Sequence, residues 1–482
     1  MSAQAAAADE WAPAHAWRAR ALRYGLNTKC GFATAATAVT AAGLAAAPGA
    51  HRPAAVAGAL AQTVGVAWLL LLGWDASRRW ATAVFVVALA WIPLFLVPSW
   101  VYAIDPSMLD VPITPQSAIG IIDGSLFAFV FGVLVATRVM GTDASAPARP
   151  QPTRWLPRRL AAYAALGSLS LIVLFARHGS PVEYLTHLDE SSTLNIGATY
   201  LLWGVLFVKF VFLSMLACQW SGGRRVGYPL IVSGIVLLLV LFVVGSRAFP
   251  AIAAAEALVL FALLRRPVPL RALVVVALLA GGFVVFGVGT VKRYQAYDRN
   301  VPGQRLSFVG YARTIALRES VRVYVSNYAD GLRLMSLARA VVPSRAEYEH
   351  GKELVRLLVH PIPRAVRPDV PRAKIIRDVF EPAHGNTFAM PLQASAYLDF
   401  GVAGVLLLFM LLGTGLRAFD RRIVRRSMSA ADCLLAASVI TGAAFVLRSG
   451  IPNGVALAAI DVVGTVVVAK TSLVPSRDRA AS

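Results

Sequence analysis

The sequence predicts an all-α polytopic membrane protein with about twelve transmembrane helices. Of the 482 residues, 57% are hydrophobic and only 15% are charged, which is too apolar for a soluble protein of this length. Apolar runs of about 18 or more residues recur along the chain, and a run of that length can cross the hydrocarbon core as a helix. Such a helix satisfies its backbone polar groups within its own segment, as lipid requires.

Twelve apolar runs define the predicted spans and, with them, the regions of the chain. The spans are 31–47, 54–73, 80–100, 117–137, 159–176, 197–219, 227–245, 249–264, 271–291, 389–415, 432–448 and 453–470. The regions are an N-terminal tail (1–30), nine spans (31–291), a large hydrophilic segment (292–388), three spans (389–470) and a C-terminal tail (471–482).

The distribution of basic residues predicts that both termini are cytoplasmic. With that orientation the cytoplasmic segments hold 24 Lys and Arg residues, whereas the short outer loops hold four, Arg52, Arg177, Arg247 and Arg448. An excess of this kind in cytoplasmic loops is the usual topological signal. The net charge of +21 is therefore explained by topology, and we expect no nucleic-acid partner.

The hydrophilic segment 292–388 then lies outside, although it holds 17 Lys and Arg residues, because long loops translocate largely regardless of charge. Its stretch 307–342 alternates apolar and basic residues at helical spacing, with a predicted break at Gly331 or in the region 327–330. A second amphipathic stretch covers 346–359. Such helices suit the membrane surface, and a small folded cap with solvated arginines is the alternative.

Arg247 stands in the tight turn Gly245–Ser246–Arg247 between the seventh and eighth spans. Free N–H groups at the start of the next helix and a fixed cation are typical of an anion-binding site. An ordinary arginine that reaches to the membrane interface is the alternative interpretation.

A proline-rich basic run follows the second amphipathic stretch. Its cations, placed between prolines that fix the backbone, are Arg364, Arg367, Arg372 and Lys374. Held in this way they could bind a diphosphate or a carboxylate, and a solvated basic turn is the alternative.

His384 comes just before the tenth span, where Asn386 or Thr387 is a candidate N-cap. At the boundary between water and lipid headgroups, this histidine could orient or deprotonate a hydroxyl group. A structural histidine is the alternative.

Three ionisable residues fall in the middle of predicted spans: Lys209, Glu256 and Asp461. Their spans all run from outside to inside, so that a Lys209–Glu256 or a Lys209–Asp461 pair is geometrically allowed. Ionisable groups inside a membrane are costly and suggest function. Both a structural ion pair and a role in proton coupling fit these three residues. Two further acidic residues, Asp123 and Asp399, lie in the outer thirds of the fourth and tenth spans.

The external motifs resemble the oligosaccharide repeat-unit polymerases, the O-antigen polymerase (Wzy-type) family. The resemblance is carried by the Gly245–Ser–Arg247 turn, the Pro361–Ile–Pro–Arg364 turn with its basic run, and the stretch 385–415. It extends over residues 240–415, whereas the N-terminal half matches only in hydropathy. It implies a multi-pass enzyme of the inner (plasma) membrane that transfers a growing glycan from undecaprenyl diphosphate to a lipid-linked repeat unit, without a metal or cofactor.

By this resemblance, Arg247 and Arg364 would neutralise the departing diphosphate, assisted by Arg367, Arg372 or Lys374. His384 would take the position of the histidine in the related O-antigen ligases, with Asp399 as the alternative base. The implied partners are the undecaprenyl-diphosphate-linked oligosaccharide, the lipid bilayer and a chain-length regulator.

Three other functions remain open at this point. One is an O-antigen-ligase-like enzyme, and another is a glycosyltransferase that uses a polyprenyl-phosphate monosaccharide, although residues 48–53 lack the acidic residues expected there. The third is a transporter or flippase. Against transport, only residues 221–226 separate the sixth and seventh spans, so no central loop divides the chain into repeats.

Overall fold

The structure is a computed structural model. It describes residues 51–73, 82–106, 116–139, 152–177, 199–244, 248–265, 330–359, 390–425 and 428–475, together with the single positions 179, 294, 307, 309 and 310. The helices are α1 (His51–Gly73), α2 (Ala83–Ile104), α3 (Gln116–Val139), α4 (Pro157–Arg177), α5 (Thr199–Ser221), α6 (Tyr228–Val244), α7 (Ala248–Leu264), α8 (Asp330–Val341), α9 (Lys352–Val359), α10 (Leu392–Arg425), α11 (Ala430–Ser449) and α12 (Val455–Ser472). Two short strands, β1 (Thr153–Trp155) and β2 (Leu473–Pro475), pair in an antiparallel manner.

The described residues form an all-α polytopic membrane protein. Eight helices are long and apolar enough to cross a membrane, namely α1 to α5 and α10 to α12, and α6 and α7 are shorter apolar helices. Ten predicted spans overlap these ten helices. The other two, 31–47 and 271–291, lie outside the described residues, so the count of twelve stays a prediction.

Helix α2 contains a π-helical turn, Ile92–Leu96, that the hydropathy pattern does not predict. Pro93 stands in this turn, and a proline has no N–H to donate to the preceding turn. The helix begins at the N-cap Thr82, whose side chain accepts a hydrogen bond from the Phe85 N–H. The predicted start of this span at residue 80 is thus shifted to Ala83.

Helix α10 is bent at Gly401, where φ is 66° and ψ is −160°. This is a conformation that glycine adopts far more readily than other residues. A Cβ at this position would also lie 3.1 Å from the ring of Tyr348. Residues 392–400 therefore form a separate first segment of the helix, and residues 391–399 are all buried.

Helices α3 and α10 pack closely against each other in the core. A Cβ at Gly132 would lie 2.0 Å from the carbonyl oxygen of Met410, and a Cβ at Gly413 would lie 2.2 Å from that of Phe129. The two backbones thus touch directly. Small residues at helix contacts commonly allow this in membrane proteins.

Helix α8 packs inside the protein. Over its described length, Asp330–Val341, its residues Leu332, Leu334, Met335 and Ala338 are buried against α3 and α10. This burial favours the folded cap over a helix lying on the membrane surface. The first part of the predicted stretch 307–342 is largely outside the described residues.

Candidate functional site

Six of the predicted site residues lie outside the described residues: Arg247, Arg364, Arg367, Arg372, Lys374 and His384. The structure does describe the helix ends that flank them. Arg247 stands between the end of α6 at Val244 and the start of α7 at Ala248. The other five stand between the end of α9 at Val359 and Met390, just before α10.

The start of α7 and the end of α11 lie on one side of the helical bundle. Phe249 and Ile252, in the first turns of α7, line a small cavity together with Gly442 and Phe445, which lie near the end of α11. Since α6 is joined to α7 by residues 245–247 alone, the end of α6 lies on this side as well.

The turn after α11 brings the hydrophilic segment to the same side. Ser395 Oγ, in the first turn of α10, donates a hydrogen bond of 3.0 Å to the carbonyl oxygen of Ile451. Helix α9 also packs against the Gly450–Gly454 turn. The helix ends that flank Arg247 and those that flank residues 360–389 therefore share this side, which the arginine distribution predicts to be external. It is called the outer side below.

Residues 330–359 fold onto the first segment of α10, and together they form what we call the outer cap (330–359 and 390–400). Tyr397 Oη donates a hydrogen bond of 2.9 Å to the carbonyl oxygen of Val342 and accepts one of 3.3 Å from Arg339 Nη1. The ring of Tyr348 stacks edge-on at 6.0 Å from that of Tyr397. The cap is thus joined to α10 by side-chain contacts made deep within the protein.

Backbone hydrogen bonds reinforce the outer cap. The N–H of Glu349 donates to the carbonyl oxygen of Leu398 at 2.8 Å, and the N–H of His350 donates to that of Asp399 at 3.0 Å. The backbone of α10 departs from helical geometry at Gly401, two residues after Asp399. Because carbonyls at the end of a helical segment have no partner within that segment, the 349–350 turn satisfies them.

Asp399, the alternative base of the sequence analysis, is 0% exposed. Its Oδ1 accepts a hydrogen bond of 3.3 Å from the backbone N–H of Glu353, at the start of α9. A carboxylate in this position caps a helix and complements its dipole. The geometry therefore favours a structural role for Asp399, because a general base must reach the proton that it removes.

Lys209, Glu256 and Asp461 meet in the middle of the bundle. Lys209 Nζ lies 2.8 Å from Glu256 Oε2 and donates a short hydrogen bond to Asp461 Oδ1, so both pairings that the spans allowed are present. The other oxygen of Glu256, Oε1, has no hydrogen-bond partner among the described residues. We call these three residues the ionic cluster.

The ionic cluster is almost completely buried. Its exposed fractions are 2% for Lys209, 0% for Glu256 and 6% for Asp461. Beside it lies a cavity of about 20 Å³, which is room for about one water molecule. The lining residues, apart from Lys209 and Asp461, are Leu206, Phe249, Ile252, Gly442, Phe445, Leu457 and Ala458.

A second buried polar group surrounds Asp123 on α3. Gln62 Nε2 lies 2.9 Å from Asp123 Oδ1 and 2.9 Å from Ser99 Oγ. Asp123 Oδ2 has no hydrogen-bond partner among the described residues, and a Cβ at Gly58 would lie 2.8 Å from it. The sequence marked Asp123 but not Gln62 or Ser99, whose proximity depends on the packing of α1, α2 and α3.

No protein-family model, curated protein or solved structure matches the chain significantly. The resemblance to the O-antigen polymerases therefore rests on the motifs around Arg247, Arg364 and 385–415. The function is argued below from the residues of this chain.

Proposed function

We propose that the protein polymerises oligosaccharide repeat units carried on undecaprenyl diphosphate, at the outer face of the plasma membrane. One observation supports this proposal most directly. The helix ends that flank the Arg247 turn and the basic segment 360–389 lie on one side of the bundle, next to the outer cap. Two basic, anion-binding motifs that are far apart in sequence would then serve one substrate at the lipid headgroup level.

The proposed reaction makes one bond and breaks one bond. A sugar hydroxyl of the acceptor repeat unit attacks the anomeric carbon of the donor glycan, and the bond from that carbon to the diphosphate oxygen breaks. His384 takes the hydroxyl proton, and undecaprenyl diphosphate leaves with the bonding electrons. Arg247 and Arg364 stabilise its developing negative charge, with Arg367, Arg372 or Lys374 as further cations.

The test is substitution of Arg247 or Arg364 by Ala in the native host, followed by measurement of surface glycan length. Removing one group that stabilises developing charge commonly slows a reaction by about 100-fold or more. We expect single repeat units to accumulate, on the lipid carrier and at the cell surface. Arg345→Ala is the matched control, because Arg345 is an exposed arginine of the outer cap, and it should leave the glycan length unchanged.

Purified protein gives the direct version of this experiment. With an undecaprenyl-diphosphate-linked repeat unit as the sole substrate, the wild type should form longer lipid-linked glycans and release undecaprenyl diphosphate. Transfer that occurs only after a different acceptor is added would identify a ligase-like enzyme instead. Unaltered chain length with blocked export in the Arg247 and Arg364 variants would exclude the enzymatic proposal.

Transport of a lipid-linked glycan is the second candidate, and the ionic cluster is the observation that favours it. Intramembrane ion pairs often lie on the pathway of a transported ion or substrate. In that case Lys209→Met should block the movement of lipid-linked glycan across proteoliposomes. Under the polymerase proposal the reconstituted protein should move none.

A further inference from the structure

The ionic cluster holds two carboxyl groups and only one described cation. Lys209 Nζ contacts both acids, and its distance to the centroid of the Phe210 ring is 4.8 Å, which favours the ammonium form through a cation–π interaction. With all three groups ionised, the cluster would carry an uncompensated negative charge. An uncompensated charge this deeply buried is costly, since its hydration is lost.

No other ionisable group is placed to balance this charge within the described helices around the cluster. The helices packed against α5, α7 and α12 are α4, α6 and α11. The remaining ionisable residues of these six helices, apart from Tyr163, occupy positions near the helix ends: Arg158, Arg159 and Arg177 on α4, Tyr200 and Cys218 on α5, Tyr228 on α6, Asp432, Cys433 and Arg448 on α11, and Lys470 on α12. Tyr163 on α4 shares a hydrogen bond with Thr471 Oγ1.

The cavity adjoins one of the two carboxyl groups of the cluster. Asp461 lines it and is 6% exposed, and Asp461 Oδ2 has no hydrogen-bond partner among the described residues. Glu256, 0% exposed, also presents Oε1 without such a partner. Two fully buried acceptors without donors indicate that something that supplies a positive charge or a hydrogen is held here.

The lining of the cavity decides between a proton and a metal cation. Sodium and similar hard cations require several oxygen ligands. Apart from Lys209 and Asp461, the lining residues are apolar or glycine, and Lys209 Nζ already contacts both carboxyl groups. The volume of about 20 Å³ is enough for one water molecule that could deliver a proton.

We propose that the Lys209–Glu256–Asp461 cluster is a proton-binding site in the middle of the membrane-spanning bundle, which holds one exchangeable proton on its two carboxyl groups. The proton arrives from water in the adjacent cavity, forms one O–H bond on a carboxylate oxygen, and returns by the same route. Lys209 stays an ammonium group throughout. This proposal does not depend on the polymerase reaction.

Because the three groups belong to three helices, the proton alters the attraction among α5, α7 and α12. With the proton bound, the cluster is neutral. Without it, two negative carboxylates share one ammonium group and repel each other. The bundle is therefore expected to bind a proton more tightly when folded than when unfolded, and stability gained from the site is present at low pH and lost as pH rises.

The experiment compares the number of protons taken up on folding by the wild type and by variants of the cluster. The full-length chain in lipid nanodiscs is unfolded by heat at a series of pH values from about pH 5 to about pH 9. The cluster should take up one proton in the wild type, none in Glu256→Gln or Asp461→Asn, and two in Lys209→Met. Each linked proton changes the unfolding equilibrium constant by about tenfold per pH unit. The logarithm of the unfolding equilibrium constant, plotted against pH, should thus have a shallower slope in the two acid variants than in the wild type. In the lysine variant the slope should be steeper.

Glu347→Gln is the matched control, because it removes an exposed carboxyl group of the outer cap and should keep the wild-type slope. Equal slopes in the wild type and Glu256→Gln would overturn the proposal. Stabilisation of the wild type by sodium chloride over choline chloride, absent from Glu256→Gln, would show a metal cation in place of the proton. If a variant does not fold, infrared spectra of the Gln62→Leu/Asp123→Leu double variant, which lacks the buried Asp123 carboxyl group, decide: a protonated carboxyl band at neutral pH supports the site, and its absence from a spectrum that resolves such bands excludes it.

Discussion

Asp420, near the end of α10, caps the beginning of α2 at Ala83. Asp420 Oδ1 accepts a hydrogen bond of 2.6 Å from the Ala83 N–H, and Oδ2 accepts one of 3.2 Å from the Val84 N–H. The two residues are 337 positions apart in the sequence. The first N–H groups of a helix have no partner within it, so a buried carboxylate from another helix both satisfies them and joins two distant segments.

Replacing Asp420 by Ala should lower the free energy of unfolding by about 1–2 kcal/mol, because two buried N–H groups lose their acceptor. Asp420→Asn keeps one acceptor oxygen and should cost less. The measurement is heat unfolding in detergent followed by circular dichroism. Arg422→Ala, which changes an exposed side chain two positions away, is the control and should have little effect. An equal loss in both variants would refute the capping role.

The close contact of α3 and α10 predicts that Gly413→Ala and Gly132→Ala are both destabilising. In each variant the new methyl group would meet a carbonyl oxygen of the facing helix, so that the helices must separate, at a cost of about 1–3 kcal/mol. Gly415→Ala is a matched control on the same helix, since a Cβ there meets nothing within 4 Å. It should be neutral or slightly stabilising. Unfolding by SDS titration would compare the three, and equal effects would rule out backbone contact as the cause.

The polar group around Asp123 predicts a non-additive pair of substitutions. Gln62→Leu removes the described hydrogen-bond donor to Asp123 and should cost about 1–3 kcal/mol, because the buried carboxyl group is left without it. Adding Asp123→Leu should recover much of that loss, since replacing both partners by apolar groups can be nearly neutral. The measurement is a double-mutant cycle, in which thermal unfolding is compared among the wild type, the two single variants and the double variant. A double variant as unstable as the sum of the singles would exclude this coupling.

The sequence predicted the helices that hydropathy determines. Ten predicted spans overlap described helices, because a run of apolar residues that must satisfy its own backbone in lipid has few other conformations. The ionic cluster could also be anticipated, since mid-span residues on three helices of the same direction lie at similar depth. Helix direction and position within the span were enough to propose Lys209, Glu256 and Asp461 as partners.

Features that depend on contacts between distant segments could not be predicted. The capping of α2 by Asp420, and the hydrogen bond from Glu353 to Asp399, join residues that only tertiary packing brings together. The bend at Gly401 was hidden within the tenth predicted span, because a glycine is ordinary in a transmembrane helix until its φ is known. Asp399 was therefore interpreted as a base, although its environment is that of a cap.

The last prediction separates these two roles of Asp399. In Asp399→Asn, an oxygen acceptor remains for the Glu353 N–H, so the outer cap should stay folded and the glycan length should stay near that of the wild type. Asp399→Ala removes the acceptor and should lower the free energy of unfolding by about 1–2 kcal/mol. Glu347→Gln serves as the control for charge, since it neutralises an exposed carboxyl group of the same cap. Stability and glycan length are measured on the same preparations. A stable Asp399→Asn protein that no longer extends glycans would restore the role of Asp399 as a base, because only the ability to accept a proton, and not the hydrogen bond to α9, is then lost.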